Sequence, residues 1–173
     1  GHSGEAGGTN SEAVYGDGTG LMGRNPGNQP VKICFNAQKS YQLHWYTVQT
    51  NTLDPFDTKE DENFFTLNAV PDYGKNTNAL VSLRLKQEKL NKDFYIGFNR
   101  PVGVTEDISE GRNKVSIIEK VVGSPLEYSQ SVVVGHLMPG QTHVLEDFDD
   151  EGDVQIRFIG LHEGNAEIVV INN

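Results

Sequence analysis

The chain is poor in cysteine, in methionine and tryptophan, in basic residues and in long apolar runs. Cys34 is the only cysteine in 173 residues. No disulfide can close within the sequence, so Cys34 is either a buried thiol or pairs with a cysteine outside it. No apolar run approaches the ~20 residues that a spanning helix requires. Lys and Arg total 14 against 24 Asp and Glu, a net charge of −10. That balance argues against nucleic acid or an anionic membrane as a partner. Hydrophobic content is 36% with 19 glycines, which points away from helix bundles and towards strands and turns. The chain opens on Gly1-His2 rather than Met, with no signal-peptide pattern. The expectation is therefore a piece cut from a longer protein.

What is present is organised around Tyr15 to Gly23, YGDGTGLMG. Four glycines in nine residues ask for backbone angles that a Cβ resists, so the stretch reads as a tight, shaped turn ending in Met22. His2 precedes it in the run Gly1-His2-Ser3-Gly4, and Cys34 to Tyr46, CFNAQKSYQLHWY, follows it. In that last segment Asn36 is a good helix N-cap. Ala37, Tyr41 and Trp45 recur at helical spacing with Leu43 and Tyr46 beside them, which predicts one buried face. Lys39, Ser40 and Gln42 are then expected to face water.

These three stretches, in this order, resemble the C-terminal part of a gametolysin-like metallopeptidase, a branch of the metzincin zinc proteases. GHSG is similar to the end of the family's long zinc motif, GDGTGLMG to its methionine turn, and CFNAQKSYQLHWY to the segment after it. The resemblance implies that His2 is the third zinc ligand and that Met22 forms an apolar floor under the metal. It implies a supporting role for Tyr15, Asp17, Thr19, Gly20 and Gly23. It further implies that residues 1–56 are the C-terminal part of a metzincin catalytic domain, with a helix beneath the active site. Three neutral imidazoles and a carboxylate base are needed for such chemistry. No HExxH occurs in the sequence, and its histidines are His2, His44, His136, His143 and His162. The other two ligands and the general-base Glu are therefore expected upstream of Gly1, and the chain alone is expected to be inactive. Some relatives add a tyrosine near the metal; here the next Tyr after the turn is Tyr41, a departure from that pattern. The function implied is a secreted, zinc-dependent endopeptidase acting on matrix or cell-wall proteins, with a protein or glycoprotein substrate. The alternative is a secreted, non-catalytic β-sandwich for binding or adhesion.

The rest of the chain reads as β. Thr50 to Glu62 is a polar boundary, and residues 57–173 form the second domain, expected to fold from about Asp61 without the first part. Strands are predicted at Phe64–Val70, Val81–Leu85, Phe94–Phe98, Lys114–Val122, Tyr128–Leu137, His143–Phe148, Val154–Phe158 and Glu167–Ile171, from period-2 alternation between Gly, Pro, Asn and Asp clusters. Eight short strands at this spacing suggest an antiparallel sandwich. The fold class is thus mainly β with a short N-terminal α segment: a metzincin C-terminal remnant followed by a β-sandwich. For residues 3–13 disorder and an ordered loop both stay open. Glu146 to Asp153, EDFDDEGD, is a solvated acidic turn whose oxygens suit Ca²⁺ but lack EF-hand spacing. A hairpin around Met138-Pro139-Gly140 could bring His136 and His143 together, with His162 from another strand. They are expected to be surface residues.

Overall fold

A computed structural model describes residues 3–5, 17, 19–21, 32–90, 92–108, 110–120 and 130–173. Among these the chain is mainly β, with one short helix and two sheets. The strands are β1 (Ser3–Glu5), β2 (Thr50–Leu53), β3 (Glu62–Leu67), β4 (Ser82–Leu85), β5 (Phe94–Asn99), β6 (Lys114–Lys120), β7 (Ser131–Leu137), β8 (Thr142–Phe148), β9 (Gly152–His162) and β10 (Asn165–Asn172). The helix α1 spans Ala37–Gln42. One sheet has six strands in the order β1-β7-β6-β5-β4-β2, and the other has four in the order β3-β10-β9-β8.

The alternation read from the sequence sets the shared core. Leu83, Leu85, Phe94, Ile96, Phe98, Val115, Ile117 and Leu137 come from the six-stranded sheet. Leu67, Leu145, Phe148, Val154, Ile156, Phe158, Ile168 and Val170 come from the four-stranded one. Aromatic rings join the layers: Phe98 lies 6.3 Å from Phe158, and Phe94 lies 5.9 Å from Phe148. Burying such side chains stabilises the fold by about 1.5–3 kcal/mol each.

All eight predicted strands are present, although positions 121–122 and 128–129 of two of them lie outside the described residues. Two further strands were not foreseen. Ser3–Glu5, within the stretch where disorder and an ordered loop both stay open in the sequence, pairs in parallel with Ser131–Val133 of β7. Thr50–Leu53, read as part of the polar boundary, pairs in parallel with Ser82–Leu85. Each lies on one edge of an otherwise antiparallel sheet. Neither carries an apolar alternation; backbone hydrogen bonding to an edge is what orders them.

The helix also corrects the expected face. Gln38, Lys39, Ser40 and Gln42 are buried, while Leu43 and Trp45 are exposed, Trp45 by 53%. The reason is length. Leu43 is the C-cap and His44 follows at φ 55, a left-handed residue that ends the helix after six residues. The helical spacing therefore never reaches Trp45. The short helix instead lies on the outer face of the six-stranded sheet, over β4, β5 and β6. That face carries Ser82, Arg84, Tyr95 and Gly97, the residues alternating with the core set. Two polar surfaces meet there, and Ser82 Oγ donates to the Ala37 carbonyl at 3.1 Å. Approach is so close that a Cβ on Gly97 would stand 2.7 Å from that of Ala37.

Candidate functional site

The described part of the Gly-rich turn is built on Asp17. Its Oδ1 accepts from the Thr19 backbone N–H at 2.9 Å and also from the Thr19 hydroxyl. This is an Asx-type turn, in which a short carboxylate replaces the next backbone acceptor. Its Oδ2 accepts from Asn36 Nδ2 at 2.7 Å. Asp17 is 0% exposed, so both oxygens are committed inside the fold. Gly20 lies against the same residue, where a Cβ would be 3.1 Å from the Asn36 amide nitrogen. Next along, the Leu21 N–H donates to the Cys34 carbonyl at 3.0 Å.

Asn36 does three things at once. Its side-chain oxygen accepts from the Lys39 N–H at 3.0 Å, capping α1 as the sequence predicts. Its Nδ2 reaches Asp17, and also Ser131 Oγ at 3.2 Å. Ser131 is the residue paired with Ser3 in β1. The turn, the start of the helix and β7 therefore meet around one side-chain amide, and β1 pairs with β7 alongside.

Lys39 is buried close to Asp17. Burial pushes its ammonium down to about 8, and the charge of Asp17 opposes that shift. Cys34 is a free thiol whose Sγ lies 3.8 Å from the Tyr46 hydroxyl. Burial pushes the Tyr46 phenol up, with Cys34 and Tyr73 adding to it.

Of the residues singled out in the sequence, Asp17, Thr19 and Gly20 are thus brought together. His2, Tyr15, Met22 and Gly23 lie outside the described residues. Tyr41 hydrogen-bonds Thr52 at 2.7 Å and stacks edge-on against Tyr95, so it serves the polar layer. Asn36 was foreseen as a cap, but its tie to the turn was missed. The signal was the Asp-x-Thr spacing, which marks a side-chain-closed turn whose second oxygen needs a donor. Ser131 carried no signal, because its partner is distant in sequence.

The remaining polar residues bear on other chemistry. His136 Nδ1 sits 3.0 Å from Ser116 Oγ, which also accepts from Asn99 Nδ2 at 2.7 Å. Ser116 is 1% exposed, so this Ser–His pair is closed to a substrate and is structural. His143 lies over Gly135, where a Cβ would meet its ring at 3.0 Å, and burial lowers its pKa. In the acidic turn, Asp149 is buried rather than solvated. It accepts from the backbone N–H groups of Glu88, Lys89 and Leu90 at 2.9, 2.8 and 3.1 Å. Lys89 also pairs with Glu151 at 2.8 Å. Among the described residues no three His, Cys, Asp or Glu side chains converge to hold a metal ion. The one expected zinc ligand in the chain, His2, is not among the described residues. Among the described residues no helix is long and apolar enough to cross a membrane.

Comparison with known proteins matched the chain to no family model, no curated protein and no solved structure.

Proposed function

We propose that the chain is the C-terminal portion of a secreted zinc-dependent endopeptidase of gametolysin type, acting on extracellular protein or glycoprotein. The observation that carries this is the order GHSG, GDGTGLMG, CFNAQKSYQLHWY along the sequence. The structure supplies support: the turn and the third of these segments are joined through Asp17 and Asn36, beside the strand that follows His2. In this reading, residues 1–56 are the remnant of a metzincin catalytic subdomain and residues 57–173 a β-sandwich.

The role of the chain's own residues is positional. Asp17, Thr19 and Gly20 fix the shape of the turn that precedes Met22 in the sequence. Asn36 locks that turn to α1 and Ser131. His2 would be the third ligand of a zinc site whose other two imidazoles and general-base Glu belong to an HExxH upstream of Gly1. Zinc bound there supplies Lewis-acid polarisation of a scissile carbonyl and a more acidic bound water.

The test is the sequence encoded before Gly1, followed by expression of the longer chain. The reading requires HExxH-x5 leading into His2. His2→Ala in that longer chain is expected to abolish peptidase activity and lower zinc content without changing the melt of the β region. Met22→Leu is expected to keep the zinc and cost less, since it changes packing alone. Absence of HExxH, or full activity of His2→Ala, transfers the assignment to the alternative, a non-catalytic binding or adhesion module.

A further inference from the structure

A second surface lies away from the turn, along the outer edge of the four-stranded sheet. Strand β8 ends the order β3-β10-β9-β8 and pairs only with β9. Its register fixes what that edge offers. The Phe158 N–H donates to the Gln141 carbonyl at 3.0 Å, and in the ladder that follows Thr142 pairs with Arg157 and Val144 with Gln155. Backbone groups along an antiparallel strand point alternately towards the partner and away from it. Gln141 points towards β9, so Thr142 and Val144 turn their N–H and C=O groups outwards. Among the described residues no backbone group bonds them on that side. Such an edge is a template for another strand.

A groove of about 250 Å³ runs beside it, lined by residues 143–147 in succession. Side chains alternate between the faces of a strand, so consecutive residues line one groove only where the strand runs along it. Across the groove stand Leu90, Phe94 and Val134. Leu90 is 39% exposed and Val144 43%, so apolar surface is open to a partner on both sides.

The charge left in the groove is of one sign. Lys92 pairs one to one with Glu119 at 3.2 Å. Glu146 and Asp147 are exposed and make no ion pair among the described residues. That sign selects the occupant. A nucleic acid or an anionic surface is repelled. A metal ion finds no three converging ligands among the described residues. A second copy of the chain, paired β8 to β8, sets Glu146 and Asp147 of both copies along one seam, where like charges destabilise the pairing. Each copy also carries a net charge of −10.

We infer that the free edge of β8 receives an extended basic segment of a partner protein as an added strand. The segment's backbone pairs with Thr142 and Val144, its apolar side chains meet Leu90 and Val134, and its Lys or Arg heads lie beside Glu146 and Asp147. Backbone bonds supply affinity in this mode and the side chains supply selectivity. The inference rests on the sheet edge and not on zinc chemistry.

The test is titration of the 173-residue chain, followed by amide NMR, with the blocked heptapeptide Lys-Val-Lys-Thr-Lys-Val-Lys. The same peptide with Glu in place of Lys is one control. The same peptide N-methylated at alternate residues, which keeps its charge but cannot pair as a strand, is the other. Saturable binding of the basic peptide is expected, weakened by salt, with slowed exchange of the Thr142 and Val144 amides. Neither control is expected to bind. Glu146→Gln with Asp147→Asn is expected to weaken binding about tenfold or more, with an unchanged fold. Val144→Pro removes an outward N–H and no bond to β9, and is expected to abolish binding. The inference is overturned if the basic peptide does not saturate, or if either control binds as well as it does. It is also overturned if the carboxylate variant binds normally, if a folded Val144→Pro does, or if the perturbed amides lie away from β8. A concentration-dependent dimer that Val144→Pro dissolves gives the edge to a second copy and overturns it too. The N-methylated peptide tests strand pairing from the ligand side, so a Val144→Pro that fails to fold leaves the question decidable. Because the assay holds no zinc and measures no cleavage, its failure leaves the peptidase assignment where it was.

Discussion

Asn36 Nδ2 stands 2.7 Å from Asp17 Oδ2, and that single bond ties the Gly-rich turn to the helix cap. The two residues are also complementary in kind, since Asp17 can only accept and Asn36 brings the donor. Asn36→Ala is expected to lower stability by about 2 kcal/mol, from loss of the cap and an unpaired buried carboxylate oxygen. Asn36→Asp keeps the capping oxygen but sets two carboxylates face to face, and is expected to cost at least as much. Denaturant melts of the three proteins check this; an Asp variant as stable as the parent would contradict it.

Gly97→Ala is expected to destabilise the chain by about 1–3 kcal/mol, because its new methyl meets Ala37. The clash is with a single side-chain carbon, so Ala37→Gly in the same chain is expected to recover part of the loss. A double-mutant cycle with no coupling would show that α1 does not press on β5 as described.

Residues from about Asp61, read from the sequence as able to fold without the first part, are expected to fold poorly alone, because β1 and β2 belong to the same sheet. Removing β1 and β2 bares β7 and β4 as edges, and removing α1 bares the polar layer over Arg84 and Tyr95. Unpaired edges invite intermolecular strand pairing. Size-exclusion chromatography with a thermal melt decides it: a monomer melting like the full chain would refute the expectation.

Lys39 gives a pH signature. Its pKa is lowered to about 8 in the folded chain from 10.5. Between those values the unfolded chain holds the proton more tightly, so this group makes stability rise with pH across that window. Below it the charged, buried ammonium is a standing cost. The stability difference between Lys39→Met and the parent is therefore expected to favour the variant at neutral pH and to shrink as pH rises through the window. A constant difference would mean that Lys39 stays charged throughout.

Asp149 acts in the opposite direction. Burial would raise its pKa, but the N–H groups of Glu88, Leu90 and Lys89 outweigh that and lower it. Its contribution is present above the ordinary carboxylate range and is lost as pH falls through the lowered value. Asp149→Ala is expected to cost about 2 kcal/mol at neutral pH, and less in acid, as followed by urea melts at both pH values.

The sequence made the eight long-alternating strands legible, because Leu83/Leu85 or Phe94/Ile96/Phe98 declare a buried face by themselves. It did not disclose Ser3–Glu5 or Thr50–Leu53, which are strands by virtue of what lies beside them. Asn36 announced where α1 begins. Nothing announced its end, since His44 takes a backbone conformation usually left to glycine. Nor did the pattern disclose that Lys39 and Gln42 are buried, because the polar outer face of the sheet that they cover is assembled from β4, β5 and β6. In the candidate site, the turn was visible as a pattern of glycines, while its anchor at Ser131 was not, being fixed only when distant strands assemble.

That distance governs how the protein is made. Ser3 is translated long before its partner Ser131. Ser3–Glu5 cannot dock until β7 has followed, and closing so long a loop is entropically slow. Until then Asn36 also lacks one of its acceptors. Strand β1 is thus held back from its place until β7 is synthesised, and a product released before Leu137 would carry the Gly-rich turn without the strand that seats it.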